Sequence, residues 1–138
     1  MGAWGFGPFD NDDAADWSGD LHEAAPGERA GLLRKTLEEA LHEGEYLEQD
    51  SGSQVVAAAA VIASLLPGGT ALINSYAADS LTEGGTLDLP GDLPALALRA
   101  LDRVAGDDSE WAEQWEDGLP KALAALQPIR EVLEAATA

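Results

Sequence analysis

The sequence predicts an all-α protein, a compact single-domain bundle of five to six helices. Three observations favour this fold class. Alanine, the strongest helix former, occupies 26 of the 138 positions. Leucines recur at spacings of three and four residues. No stretch alternates polar and apolar residues as a half-buried strand would. Because a chain of this length normally forms one domain, we assign residues 1–138 to a single all-α domain.

The N-terminus is expected to form an ordered loop followed by a helix. Residues 1–9 alternate glycine with aromatic residues, and this density of glycine and proline prevents a regular helix. Three aromatic side chains within the segment can anchor it to the core. The first helix is expected to begin near Asp10 or Asn11 and to run to about Ala25, with Asp10 as a good N-cap.

Two helices are expected in the middle of the chain. The second covers about 28–47, where Leu33, Leu37 and Leu41 lie four residues apart. The third covers about 51–66 and includes an apolar run of 12 residues, 55–66, that only one serine interrupts. A membrane span needs roughly 20 residues. This run is therefore interpreted as the central helix of the core.

The remaining elements are indicated by glycine and proline. A long irregular connection is expected over 67–93, which is rich in Gly, Pro, Ser and Thr. Pro94 suits the first turn of a helix and Gly106 suits its end, so a fourth helix is expected between them. A fifth helix follows and is interrupted at 118–120. The last apolar stripe reaches the C-terminus, and Pro128 is expected to kink it.

Composition excludes several classes of function. The chain has 26 acidic and 7 basic residues, a formal net charge of −19. Binding to nucleic acid or to an anionic membrane depends on Lys and Arg, so neither partner is expected. The absence of cysteine excludes disulfides, thiolate zinc sites and a cysteine nucleophile. The first basic residue is Arg29, which does not fit a secretory signal, and a cytoplasmic location is therefore expected.

The acidic residues occur in blocks, and the blocks suggest a partner. Residues 38–50 contain six acids and no Lys or Arg, and residues 107–117 contain another six. Such charge can steer association with a cationic protein. The sequence therefore predicts a small acidic protein-interaction module, of regulatory or immunity type, that binds a basic partner. A DNA mimic is an alternative. Solubility alone can also explain the charge.

A divalent-metal binder or enzyme using Asp10, Asp12 and Asp16 is a further alternative, because carboxylates are the ligands that Ca²⁺ and Mg²⁺ prefer. The spacing does not fit an EF-hand loop, since Ala15 occupies the position that requires glycine. Acids at a helix start also serve as a cap and complement the helix dipole. No nucleophile motif or phosphate-binding loop is present. We therefore expect no catalytic residues, no resident metal and no cofactor.

Aromatic residues supply the other candidates for an interaction site. Trp4, Phe9 and Trp17 could form a cluster over the first helix, in which Asp16 or Asn11 accepts an indole N–H. Alternatively, the N-terminal loop could present an exposed aromatic anchor to a partner. Trp111 and Trp115 lie on one helical face, and packing against the last helix is the simplest explanation. The motif and interaction candidates are Trp4, Phe9, Asn11, Asp12, Asp16, Trp17, Trp111 and Trp115.

The N-terminal string resembles a bacterial family known as domain of unknown function 4259. Members of that family open with Gly-x-Trp-Gly-x-Gly-x-Phe-x-Asn-Asp-x-Ala-x-Asp followed by an aromatic residue. Every one of these positions is matched here, from Gly2 and Trp4 to Asp16 and Trp17. The similarity extends over the whole chain and implies a common fold. It implies no particular activity, because the family name records none.

Overall fold

A computed structural model describes residues 16–17, 19–20, 23, 28–42, 46–64, 91–106, 108–115 and 118–137. The predicted N-terminal loop and nearly all of the predicted 67–93 connection lie outside these residues. Residues 16–17, 19–20 and 23 are helical. Five further helices pack together and confirm the all-α bundle: α1 (Arg29–His42), α2 (Gln49–Ser64), α3 (Leu93–Ala105), α4 (Glu110–Gln114) and α5 (Leu119–Thr137).

Helix α2 occupies the centre of the bundle, as its apolar sequence predicts. Every residue from Val55 to Ala63 is buried, and α2 packs against α1, α3, α4 and α5. Five of these nine buried residues are alanines. Small side chains allow neighbouring helices to approach closely, and the surrounding helices then supply the bulk of the core. Outside α2, the largest fully buried side chains of the described residues are Leu33, Leu37, Leu47, Leu93, Leu101, Leu126, Ile129 and Leu133.

An ion pair joins α1 to the start of α3. The Arg34 guanidinium donates two hydrogen bonds to the Asp92 carboxylate, at 2.9 and 2.7 Å. Asp92 occupies the N-cap position of α3, yet its side chain makes no capping bond because it is engaged with Arg34. This hydrogen bonding lowers the pKa of Asp92. The first turn of α3 contains Pro94 and the helix is capped by Gly106, which agrees with the sequence analysis.

The position predicted for the end of the second helix is wrong. Helix α1 ends at His42, whereas the leucine spacing suggested a helix that continues to Leu47. Leu47 instead forms a parallel bridge with Ser109. A buried leucine fits either conformation, so the apolar pattern could not distinguish them. Helix α5 runs through Pro128, which lies on its exposed face. In the described part of the chain, no helix combines the length and hydrophobicity needed to cross a membrane.

Candidate functional site

A short parallel bridge brings the two acidic stretches of the sequence together. The Leu47 N–H donates to the Asp108 carbonyl at 2.8 Å, and the Glu110 N–H donates to the Leu47 carbonyl at 2.8 Å. These two bonds set the segment before α2 beside the segment that enters α4. Tyr46 therefore lies near Asp108, and Glu48 lies near Glu110.

The bridge also determines which side chains face solvent. Successive residues in extended backbone point to opposite sides. Leu47 and Ser109 are both buried, at 1% and 0% exposure. Tyr46 and Glu48, which flank Leu47 on the extended segment, are exposed; across the bridge Asp108 is exposed and Glu110 is half-buried. Together with Glu113 in α4, these flanking residues form a surface that we call the acidic bridge surface. It consists of Tyr46, Glu48, Asp108, Glu110 and Glu113.

Tyr46 is the one aromatic side chain of this surface, and it is 42% exposed. Its hydroxyl donates a 2.8 Å hydrogen bond to Glu113 Oε1. That bond, together with desolvation and the nearby carboxylates of Glu113, Glu110 and Asp108, raises the pKa of Tyr46 to about 12. The phenol is consequently neutral at physiological pH, and its ring is held in one orientation among the carboxylates.

The turn that carries Asp108 is held by several hydrogen bonds. Asp108 has a positive φ of 56°, a conformation that Asp adopts more readily than most residues. Its carbonyl accepts from the Leu47 N–H at 2.8 Å and from the Arg103 guanidinium at 3.2 Å. The next residue, Ser109, is the N-cap of α4 and accepts from the Ala112 N–H at 3.4 Å. The acidic bridge surface is thus built on an ordered backbone.

Trp111 fixes α4 to the core. It is buried and lies directly against Gly52 of α2, where an added methyl group would be 2.6 Å from the Trp111 Cβ. Its ring meets that of Trp115 edge to face, with centroids 5.8 Å apart and an angle of 74° between the planes. Among the described helices, the principal neighbours of α4 are α2 and α3 rather than the last helix. Both tryptophans therefore take part in packing, and the contact of Trp111 with Gly52 is with the central helix.

Trp17 also occupies the interior. Its indole N–H donates to the hydroxyl of Thr36 at 3.0 Å, and that hydroxyl donates to the Leu32 carbonyl at 2.9 Å. Asp16 and Asn11 are the acceptors of an indole N–H that the sequence suggests, whereas this indole bonds to Thr36. Asp16 itself is exposed. A threonine within the buried leucine face of α1 was the signal that could have identified the acceptor.

The other N-terminal candidates lie outside the described residues. They are Trp4, Phe9, Asp10, Asn11 and Asp12. The aromatic cluster and the metal site of Asp10, Asp12 and Asp16 therefore stay predictions. Within the described part of the chain, no three His, Asp or Glu side chains converge as a metal site would require.

The fold and the bridge define a class of protein: a small acidic helical domain built around an alanine-rich central helix. Within that class, the chain belongs to the family described as Domain of unknown function (DUF4259), whose family model matches residues 2–135. The resemblance seen in the sequence is thereby confirmed. No curated protein and no solved structure matches the chain.

Proposed function

We propose that this protein is a non-catalytic interaction module that binds a basic partner protein through the acidic bridge surface. The observation that carries the proposal is the bridge between Leu47 and Ser109. It gathers residues from both acidic stretches around an exposed tyrosine. A regulatory or immunity-type role, in which binding blocks the partner, suits such a module.

Charge and aromatic contact act together at this surface. Its four carboxylates attract a cationic partner over long distances and accelerate association. The Tyr46 ring offers a face for an arginine or lysine side chain of the partner. Because the hydroxyl is already bonded to Glu113, the ring is oriented before binding, and less entropy is lost on association.

The proposal is tested by capture from a lysate of the native host with the immobilised full chain. The surface variant is Glu48→Gln with Glu113→Gln. Glutamine at position 113 keeps an oxygen that can accept from the tyrosine hydroxyl, so the variant changes charge more than shape. The matched control is Glu131→Gln with Glu134→Gln, two exposed positions on α5. It removes the same charge from another helix.

The expected result is a basic protein captured by the wild type and by the control, and released at high salt. The surface variant should bind it about three- to tenfold more weakly. Tyr46→Ala should weaken it as well. Equal binding by all variants would refute the proposal, as would finding no saturable basic partner. Release of the captured protein by excess duplex DNA would identify the module as a DNA mimic.

A further inference from the structure

A groove of about 350 Å³ runs between α1 and α3. The Arg34–Asp92 ion pair closes one end of it. His42 lies two helical turns further along α1, and Arg99 lies about two turns further along α3. Because both also line the groove, α1 and α3 run in the same direction, and His42 and Arg99 stand at its opposite end.

Arg99 is the cation of this groove that is available to a ligand. The guanidinium of Arg34 is already taken up by Asp92 at 2.9 and 2.7 Å. Arg99 is exposed, and none of the described carboxylates lies within ion-pair distance of it. Lys35 and Lys121 are likewise without an ion pair among the described residues, but neither lines this groove.

The middle of the groove offers a carboxylate and an apolar floor. Glu38 lies one turn before His42, and its closest approach to Arg34 is 3.9 Å, which is too long for a hydrogen bond. Its carboxylate therefore keeps acceptor capacity. Leu96, which is 7% exposed, and the partly buried Leu41 line the groove between these groups. The groove thus combines a positive group, a negative group and an apolar surface.

The positive group, the negative group and the apolar surface of the groove together favour a zwitterionic ligand. An anion would be repelled by the net charge of −19, and a simple cation would leave Arg99 unused. We propose that the groove binds a free amino acid with an apolar side chain. Its carboxylate contacts Arg99, its ammonium group contacts Glu38, and its side chain rests on Leu41 and Leu96. This site shares no residue with the acidic bridge surface, so it goes beyond the proposed function.

The test is an NMR titration of the ¹⁵N-labelled full chain with L-leucine. Two matched ligands each lack one charge: 4-methylpentanoate has no ammonium group, and 3-methylbutylamine has no carboxylate. Leucine should bind saturably and shift the backbone amides of 38–42 and 95–99. Each analogue should bind at least about fivefold more weakly. The absence of saturable leucine binding at tens of millimolar would refute the proposal, as would equal affinities for all three ligands.

Substitutions at Arg99 and Glu38 test which residue contacts the carboxylate of the ligand and which contacts its ammonium group. Arg99→Gln should abolish the preference for leucine over 3-methylbutylamine, and Glu38→Gln should abolish the preference over 4-methylpentanoate. Lys121→Gln removes one exposed positive charge from α5 and should change neither preference. A purely structural role for either residue would weaken all three ligands equally. That outcome, or an equal effect of Lys121→Gln, would overturn the assignment, with circular dichroism confirming that each variant is folded.

Discussion

Replacing Gly52 by alanine tests how tightly α4 is held on the central helix. The added methyl carbon would lie 2.6 Å from Cβ, 3.2 Å from Cγ and 3.5 Å from Cδ1 of Trp111. Carbon atoms are most stable at about 3.5–4.0 Å, so α2 and α4 must separate by about 1 Å. Overpacking of this kind costs about 1–3 kcal/mol. Alanine's better helix propensity returns up to about 1 kcal/mol. Because the contact is with the Cβ of a buried residue, which cannot rotate away, the cost should be about 2–3 kcal/mol, and we expect a net destabilisation of about 1–2 kcal/mol.

Gly31→Ala is the matched control, because Gly31 also lies inside a helix but has no atom within 4 Å of the position of an added methyl group. It should gain about 0.5–1 kcal/mol from helix propensity alone. Urea unfolding followed by far-ultraviolet circular dichroism measures both variants without relying on tryptophan fluorescence. Opposite signs for the two substitutions are the expected result. A Gly52→Ala variant as stable as Gly31→Ala would show that the close approach of the two helices does not constrain the fold.

Substitutions at three further positions test individual contacts. Thr36→Val removes the acceptor of the Trp17 indole and should destabilise the fold by about 1–3 kcal/mol in urea, whereas Thr36→Ser should retain the bond. The hydrogen bond from Tyr46 to Glu113 raises the pKa of the tyrosine from 10.0 to about 12. The stability that accompanies this shift is complete below pH 10 and is lost as the pH rises through 12. Tyr46→Phe should remove this alkaline loss and the corresponding step in a 295 nm titration. Arg34 lowers the pKa of Asp92, so their contribution is present above about pH 4 and is lost in acid. Asp92→Asn should flatten the acid dependence of urea stability, and an unchanged acid profile would contradict this reasoning.

Local sequence patterns predict the helices well, but they do not predict the contacts that assemble the acidic bridge surface. The apolar run of 55–66 identified the central helix because burial on all sides requires apolar residues on all sides. Pro94 and Gly106 correctly placed the ends of α3, since both act through their own backbone. The bridge at Leu47 was not predictable in this way. It depends on backbone N–H and C=O groups of two distant segments, and these groups are the same in every residue.

The partners of charged side chains could not all be predicted from the sequence, for a related reason. Helical spacing indicates that Arg34 can meet Glu38 one turn away, and this contact exists at 3.9 Å. The stronger partner is Asp92, which comes from a distant segment and is brought near by the packing of α3 on α1. The sequence likewise shows two acidic stretches, but only the folded chain shows that Glu48 of the first lies beside Glu110 of the second.

The crowding of carboxylates at the Leu47–Ser109 bridge couples the stability of the fold to whatever binds there. Bringing these like charges together is unfavourable, and burial of Leu47 and Trp111 must offset it. Salt or a basic ligand that neutralises the charges will therefore strengthen the docking of α4. By thermodynamic reciprocity, the free energy by which a ligand strengthens this docking equals the free energy by which docking favours the ligand. Neutralising this surface should therefore raise the free energy of unfolding, whether salt or a bound cation supplies the positive charge.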